Sequence, residues 1–275
     1  MALREILVHA KAYEHDSEHL EVAGRLAAAH GARLTALHTL RDIVALKVLL
    51  GPGAAAVAER AQRARAATAA SEERFRAWAA ERQIEADWVQ GEGDAAELLT
   101  RHARLFDLLV VEQTDSNKDE AGWDVPEQAA LSSGRPTLVV PHAGRFPTVG
   151  ARVVIAWNQS REATHAIHGA MPILERSAHV TVLEGPARER LGAYTRLPPL
   201  DLGELLRRRL PSVEVVPFEP SDSNAGADML EAVQARDADL LVMGAFGRSW
   251  LREWVLGGAT RTVLEEMRVP VLLAH

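Results

Sequence analysis

The chain has 275 residues, of which 47% are hydrophobic and 25% are charged, a composition that excludes a disordered protein and predicts a packed core. Its 31 Lys and Arg residues are outnumbered by 38 Asp and Glu residues, and the formal net charge of −7 has the wrong sign for a protein that neutralises nucleic-acid phosphates. The absence of cysteine excludes disulfides and thiolate metal sites and fits a reducing compartment. We expect a cytoplasmic protein without a membrane span or signal peptide, because its longest apolar runs are strand-sized.

Short β-type runs alternate with longer segments of helical period, which is the pattern of a parallel sheet with crossover helices. Between the second and third strands, Ala54 to Ala80 is rich in Ala, Arg and Glu and predicts one long helix. The strands predicted in the first half are Ile6 to Ala10, Arg33 to His38, Ile84 to Gln90, Asp107 to Glu112 and Pro136 to Pro141.

Gly and Pro interrupt both periodicities between His142 and Ala151, which predicts a turn-rich linker between two domains, residues 1–143 and 151–275. The same order of elements then returns. Asp107 begins the run Asp-Leu-Leu-Val-Val, and Asp239 begins Asp-Leu-Leu-Val-Met at the corresponding place. We interpret the chain as two copies of one α/β domain. The strands predicted in the second half are Arg152 to Trp157, His179 to Leu183, Val213 to Phe218, Asp239 to Gly244 and Pro270 to Ala274.

A glycine-containing loop follows the fourth strand of the second half. Gly244 and Gly247 form a Gly-x-x-Gly pair, and nine residues separate Gly247 from Gly257. Glycine lets backbone N–H groups approach an anion closely. The turn at Gly257 and Gly258 leads into a predicted helix, whose first N–H groups and dipole favour phosphate.

This spacing resembles the nucleotide loop of the universal stress protein family. Val153 to Ser160 resembles the opening strand and turn of that family, and Pro270 to Leu273 resembles its closing strand. The resemblance implies an α/β fold of two tandem doubly wound five-stranded parallel sheets, Rossmann-like and of the adenine nucleotide alpha hydrolase type, each with strand order 3-2-1-4-5. It also implies a pseudo-dimer within one chain through the last strands, with a further homodimer left open.

The resemblance further implies that the second half binds ATP, together with Mg²⁺, in a stress response. In the family the opening strand ends in Asp and the last loop glycine is followed by Ser or Thr, whereas this chain has Asn158 and Gly258 there. The expected adenosine contacts are Ala156, Asn158, Leu183 and Met243, and the expected phosphate contacts are the backbone of Gly244, Gly247, Gly257, Gly258 and Ala259 with the side chains of Arg248, Ser249 and Thr260.

The corresponding stretch of the first half, Val111 to Asp124, lacks paired glycines and contains several acids that would repel phosphate. We therefore expect the first copy to be a structural partner that binds no nucleotide.

Three alternatives stay open on the sequence. The glycines also suit tight strand-to-helix turns without a ligand, and the chain also suits a stress protein that acts through its surface alone. A slow adenine-nucleotide hydrolase is the third, although we identify no catalytic or metal-binding residue and expect no enzyme. Two histidine pairs at helical spacing, His15 with His19 and His165 with His168, are interpreted as solvated, and Trp157, at a strand end, as a buried aromatic.

Overall fold

The part of the chain that the structure describes contains ten strands in a single sheet. The computed structural model describes residues 2–10, 17–40, 54–114, 125–187, 201–221, 224–245 and 258–275, with side chains in the long helix from Ala66 onward. All ten predicted strands are present, and their bounds agree to within about two residues. The strands are β1 Glu5–Ala10, β2 Arg33–Leu40, β3 Ala86–Glu92, β4 Leu108–Glu112, β5 Thr137–Val140, β6 Arg152–Trp157, β7 His179–Glu184, β8 Val213–Pro217, β9 Leu240–Gly244 and β10 Val271–Ala274.

The strand order is β3-β2-β1-β4-β5-β10-β9-β6-β7-β8. Each half therefore has the predicted order 3-2-1-4-5, with parallel pairing inside it. β5 and β10 pair antiparallel, with Leu138 opposite Leu272. The predicted pairing of the last strands thus merges the two five-stranded sheets into one and leaves neither of these strands as an exposed edge.

Helices cover both faces of the sheet, because each parallel connection crosses over one face. The first face carries α1, α2, α5 and α6, and the second carries α3, α4, α7 and α8. The predicted long helix is α2. The helix bounds are α1 Glu18–His30, α2 Ala54–Glu81, α3 Ala95–Ala103, α4 Val125–Ser132, α5 Arg161–Leu174, α6 Leu202–Arg207, α7 Ala225–Gln234 and α8 Gly258–Glu266. Among the described residues, no helix has the length and apolar character that spanning a membrane requires.

The repeat extends to individual hydrogen bonds. Asp107 accepts bonds from the backbone N–H groups of Arg4 at 2.8 Å and Glu5 at 3.1 Å, just where β1 begins. In the second half Asp239 accepts three such bonds from residues 150–152, at 2.9 to 3.1 Å, just where β6 begins. Each aspartate precedes its strand and ties it to the start of the neighbouring strand, so this residue has the same structural role in both copies.

The linker between the halves is attached to the first helix through Glu18. The buried carboxylate of Glu18 accepts bonds from the Phe146 N–H at 2.8 Å, from Arg145 at 3.1 Å and from Arg25 at 2.6 Å. Burial by itself would raise the pKa of Glu18, but these three donors outweigh it and hold the pKa below its ordinary value. Glu18 is therefore ionised at neutral pH and fixes the path of the linker.

The histidine pairs behave differently from one another. His165 and His168 are exposed on α5, as predicted. The prediction for His19 is wrong, since only 3% of this residue is exposed and its Nε2 lies 2.8 Å from the main-chain oxygen of His9. The start of α1 packs over the end of β1, a tertiary contact that helical spacing does not reveal. His15 lies outside the described residues.

Candidate functional site

The candidate site lies at the carboxyl ends of β6 and β9. The chain leaves β6 toward β7 on one side, while β9 lies on the other side. Connections therefore diverge here to opposite faces of the sheet and leave a crevice, the place where open α/β sheets generally bind ligands.

Three of the predicted adenosine residues meet on the second face of the sheet. Ala156 pairs directly with Leu183 across β6 and β7, and both belong to the same apolar cluster as Met243. Ala156 is half-buried, whereas Leu183 and Met243 are only 2% and 4% exposed. These two side chains therefore belong to the core, and Ala156 is the member of the trio that lies nearest to solvent.

Asn158 follows β6 and precedes α5. Its Oδ1 accepts a bond from the Ser160 N–H at 3.2 Å, and the Ser160 hydroxyl in turn accepts a bond from the Ala163 N–H at 3.1 Å. Ser160 is therefore the N-cap of α5, and Asn158 stabilises the turn that leads into it. The amide of Asn158 keeps two N–H donors that an aspartate would lack.

Gly244 ends β9 beside the first turn of α5. A Cβ at this position would lie 2.5 Å from the Ala163 nitrogen and 2.6 Å from the carbonyl carbon of Glu162. Glycine is thus required at Gly244 for close packing of strand against helix. This observation gives Gly244 a structural role, in agreement with the turn-glycine interpretation at this one position.

Gly258, Ala259 and Thr260 form the first turn of α8. Gly258 is exposed, and none of the residues that the structure describes brings a packing atom within 4 Å of the position that its Cβ would occupy. Because α8 connects parallel strands, it runs antiparallel to them, and its N-terminus lies at their carboxyl edge. The helix start therefore directs its first backbone N–H groups and the positive end of its dipole toward the same edge as Ala156 and Asn158.

Four predicted phosphate residues, Gly247, Arg248, Ser249 and Gly257, lie outside the described residues, as does most of the first-half stretch Val111 to Asp124. Trp157 is buried, as predicted, at 8% exposure. It packs in the cluster on the first face, opposite Ala156, and its Nε1 is buried without a hydrogen-bond partner among the described residues.

The two halves differ in side-chain size at matched positions of this edge. The strand registers align Ala156 with His9 and Gly185 with Thr39. In the first half His9 is buried and its Nε2 lies 3.0 Å from the Thr39 hydroxyl. These two side chains therefore occupy the space at the carboxyl ends of β1 and β2. In the second half alanine and glycine stand at these positions.

The same contrast holds one strand away. The register aligns Gly244 with Glu112 and Ala245 with Gln113. Gly185 and Ala245 were not among the predicted site residues. The signal that would have found them is the small residue directly after β7 and β9, where the first half has the larger Thr39 and Gln113 at the aligned positions.

The far end of α8 is held by the first half. Gln113, 5% exposed, donates from Nε2 to the main-chain oxygens of Leu264 at 2.7 Å and Glu265 at 3.2 Å. Its Oε1 accepts a bond from the His142 N–H at 3.3 Å. The helix that begins at the candidate site therefore ends against the other domain.

The described residues contain no cluster of three or more His, Cys, Asp or Glu side chains that could hold a metal ion. Near the candidate site Glu162 is 6% exposed and lies 3.5 Å from Arg161.

Comparison with known proteins identifies the second half. Residues 151–275 match the model of the Universal stress protein family. This half of the chain belongs to that family. The match begins where the second domain is predicted to begin. No curated protein matches the chain significantly in sequence.

Solved structures extend the similarity in fold to the whole chain. A universal stress protein from Archaeoglobus fulgidus DSM 4304 is 16% identical, with 98% of this chain and 97% of that chain covered and a TM-score of 0.72. A putative universal stress protein from Pseudomonas aeruginosa UCBPP-PA14 is 18% identical, with 99% and 93% covered and a TM-score of 0.55. At this identity the similarity shows the tandem fold alone.

Proposed function

We propose that the second half of this chain binds ATP in the crevice between β6 and β9, and that the first half is a structural partner that binds no nucleotide. The observation that carries the proposal is the difference in size at matched positions. Ala156 and Gly185 leave room at the carboxyl edge of the second half, whereas His9 and Thr39 occupy the corresponding positions of the first.

The groups available at this crevice suit a nucleotide. Half-buried Ala156 offers apolar contact beside the core residues Leu183 and Met243. Asn158 offers neutral hydrogen-bond donors near the place where the family has an aspartate. The first turn of α8 offers backbone N–H groups and a positive dipole end for phosphate.

The phosphate contacts follow from the family resemblance. We expect the backbone of Gly247, Gly257, Gly258 and Ala259 to approach the phosphates, because glycine and alanine leave the N–H groups accessible. Gly258 replaces the Ser or Thr of the family, so backbone donors supply the contact that a hydroxyl would make. Mg²⁺ would then be held mainly by the phosphate oxygens of ATP.

The proposal is for binding in a stress response without efficient turnover. Titration calorimetry of the full chain with Mg-ATP tests it, with phosphate release measured in the same samples. We expect one ATP-binding site per chain, and we expect phosphate to be released from ATP far more slowly than ATP binds. Two equivalent sites would contradict the silent first half, and no binding would favour a protein that acts through its surface alone. Sustained multiple turnover would favour the hydrolase.

A transplant of first-half residues tests the crevice itself. Replacing Ala156 and Gly185 by the corresponding first-half residues, Ala156→His with Gly185→Thr, should weaken Mg-ATP binding at least about tenfold through steric exclusion. Gly185→Thr alone is a milder variant, since a Cβ there meets only ordinary contacts at 3.6 and 3.7 Å. The matched control is Ala178→His, at an exposed position near the opposite end of the domain.

Unchanged affinity in the folded double variant would place the nucleotide elsewhere. Gly247→Val tests the loop in the same way, because a β-branched side chain obstructs close approach of the backbone to phosphate. Loss of binding in both variants, with the control unaffected, would support the complete site.

A further inference from the structure

A pocket of about 310 Å³, separate from the crevice between β6 and β9, lies between the two halves of the chain. One wall is the face of α1 that carries Arg25 and His30, and the opposite wall is the end of α5 with Ile173 and Arg176. Linker residues 147–151 close the pocket between them. Each half of the chain and the linker therefore contribute to a single concave surface.

The charged side chains that line this pocket are all basic. They are Arg25, His30 and Arg176, and none of the described residues that line it is acidic. The remaining lining is apolar except for the hydroxyl of Thr148 and the backbone. The lining itself therefore supplies positive charge without a carboxylate among the described residues that form it.

The three basic groups differ in how far they are already paired. Arg25 donates to Glu18 at 2.6 Å and to the Phe146 oxygen at 2.8 Å, and it lies 3.9 Å from Glu21. Its Nε is nevertheless buried and has no hydrogen-bond partner among the described residues. Arg176 forms no ion pair or side-chain hydrogen bond within the described part of the chain.

His30 lies in this pocket beside the positive charge of Arg176. Burial lowers the pKa of its imidazole, and the positive charge of Arg176 lowers it further. Arg25 is compensated by Glu18 and Glu21, and linker residues 147–151 carry no charged side chain. The unbalanced positive charge that His30 experiences therefore comes mainly from Arg176.

We propose that this pocket binds a phosphate group, with Arg176 as the principal charged contact and His30 as a second donor that becomes protonated on binding. A phosphate dianion would balance the guanidinium of Arg176 and accept several hydrogen bonds, as charge-assisted pairs with arginine typically do. The pocket volume admits either inorganic phosphate or a small phosphate monoester. A bound phosphate would connect α1 of the first half to α5 of the second.

This pocket is distinct from the proposed nucleotide crevice. Asn158 and Ser160 precede the first turn of α5, whereas Arg176 follows its last turn. The 14 residues of α5 span about 21 Å at 1.5 Å per residue. Binding at one place can therefore be measured while the other is blocked.

The test follows the His30 imidazole by NMR while the full chain is titrated with inorganic phosphate in the absence of nucleotide, at constant ionic strength set with chloride. We expect a saturable rise of about 1 unit in the pKa of His30, the size that a nearby opposite charge produces. Arg176→Gln should raise the pKa of His30 without phosphate and weaken phosphate binding at least about tenfold. Arg207→Gln, at an exposed position on α6 away from the pocket, is the control and should change neither.

Glycerol 3-phosphate and glycerol distinguish the two sources of the phosphate group. Tighter binding of glycerol 3-phosphate than of inorganic phosphate would indicate a phosphorylated small molecule, and equal binding would indicate phosphate itself. A His30 pKa that stays constant across the phosphate titration, or an equal response in Arg176→Gln, would overturn the proposal. The Ala156→His, Gly185→Thr variant should show the same rise in the pKa of His30 with phosphate. The result for this pocket therefore does not depend on whether the proposed nucleotide site exists.

Discussion

Gln113 of the first half donates from Nε2 to the main-chain oxygen of Leu264 at 2.7 Å, across 151 positions of sequence. The residue directly follows β4 of one copy and caps the last turn of α8 in the other. Since α8 begins at the proposed phosphate contacts, the first copy supports the far end of the helix whose start would carry those contacts in the second copy.

Replacing Gln113 by leucine should therefore destabilise the chain. The change removes the donor to the buried main-chain oxygen of Leu264 and to the partly buried oxygen of Glu265, which costs about 1–3 kcal/mol of unfolding free energy. Urea unfolding followed by circular dichroism measures this, and Gln90→Leu at an exposed position of β3 is the control. A loss no larger than that of the control would show that this contact between the halves contributes little.

The two glycines at opposite ends of the candidate loop should respond in opposite ways to alanine. Gly244→Ala places a Cβ against the backbone of α5 and should destabilise by about 1–3 kcal/mol. Gly258→Ala meets open space in the first turn of α8 and should be neutral or stabilise by up to about 1 kcal/mol, because alanine restricts the unfolded chain. Thermal unfolding of both variants checks the pair, and a destabilised Gly258→Ala would contradict the described packing.

Glu18 predicts a dependence of stability on pH. Its folded pKa lies below its unfolded value, so its contribution is fully present above the unfolded pKa, near 4.5, and is lost as the pH falls through the folded pKa. Glu18→Gln should therefore be less stable than the natural chain at neutral pH, and the difference should shrink in acid. Unfolding free energies from pH 7 down to about 3 test this, with exposed Glu73→Gln as the control. A difference that stays constant with pH would contradict the ion-pair account.

The two equivalent aspartates, Asp107 and Asp239, should contribute to the free energy of unfolding by different amounts. Asp107→Ala removes the acceptor for two backbone N–H groups, and Asp239→Ala removes the acceptor for three. Hydrogen bonds to a charged group contribute about 1.5–3 kcal/mol, so both variants should be destabilised and Asp239→Ala more strongly. Chemical denaturation of the full chain compares them. Equal stability losses would indicate that the third N–H finds another acceptor.

The family resemblance of the sequence supplied the strand order 3-2-1-4-5 within each copy. The strands themselves and the repeat were determined by the sequence directly. These features follow from local period, from glycine and proline at the linker, and from the matched runs at Asp107 and Asp239. Parallel strands buried on both faces are nearly continuous apolar runs, and such runs are visible without knowledge of what packs on them. The fold class could also be predicted because the crossover rule leaves few topologies for this order of elements.

The tertiary structure decided which copy has an open edge and how the copies are joined. Strand register decides that Ala156 in the second half corresponds to His9 in the first. Contacts between residues far apart in sequence decide that Gln113 caps α8 and that His19 is buried. Arg25, His30 and Arg176 line one pocket only because α1, the linker and α5 meet in space. A local pattern specifies which residues face a sheet, but the neighbour that each one meets is set by the packing of the whole chain.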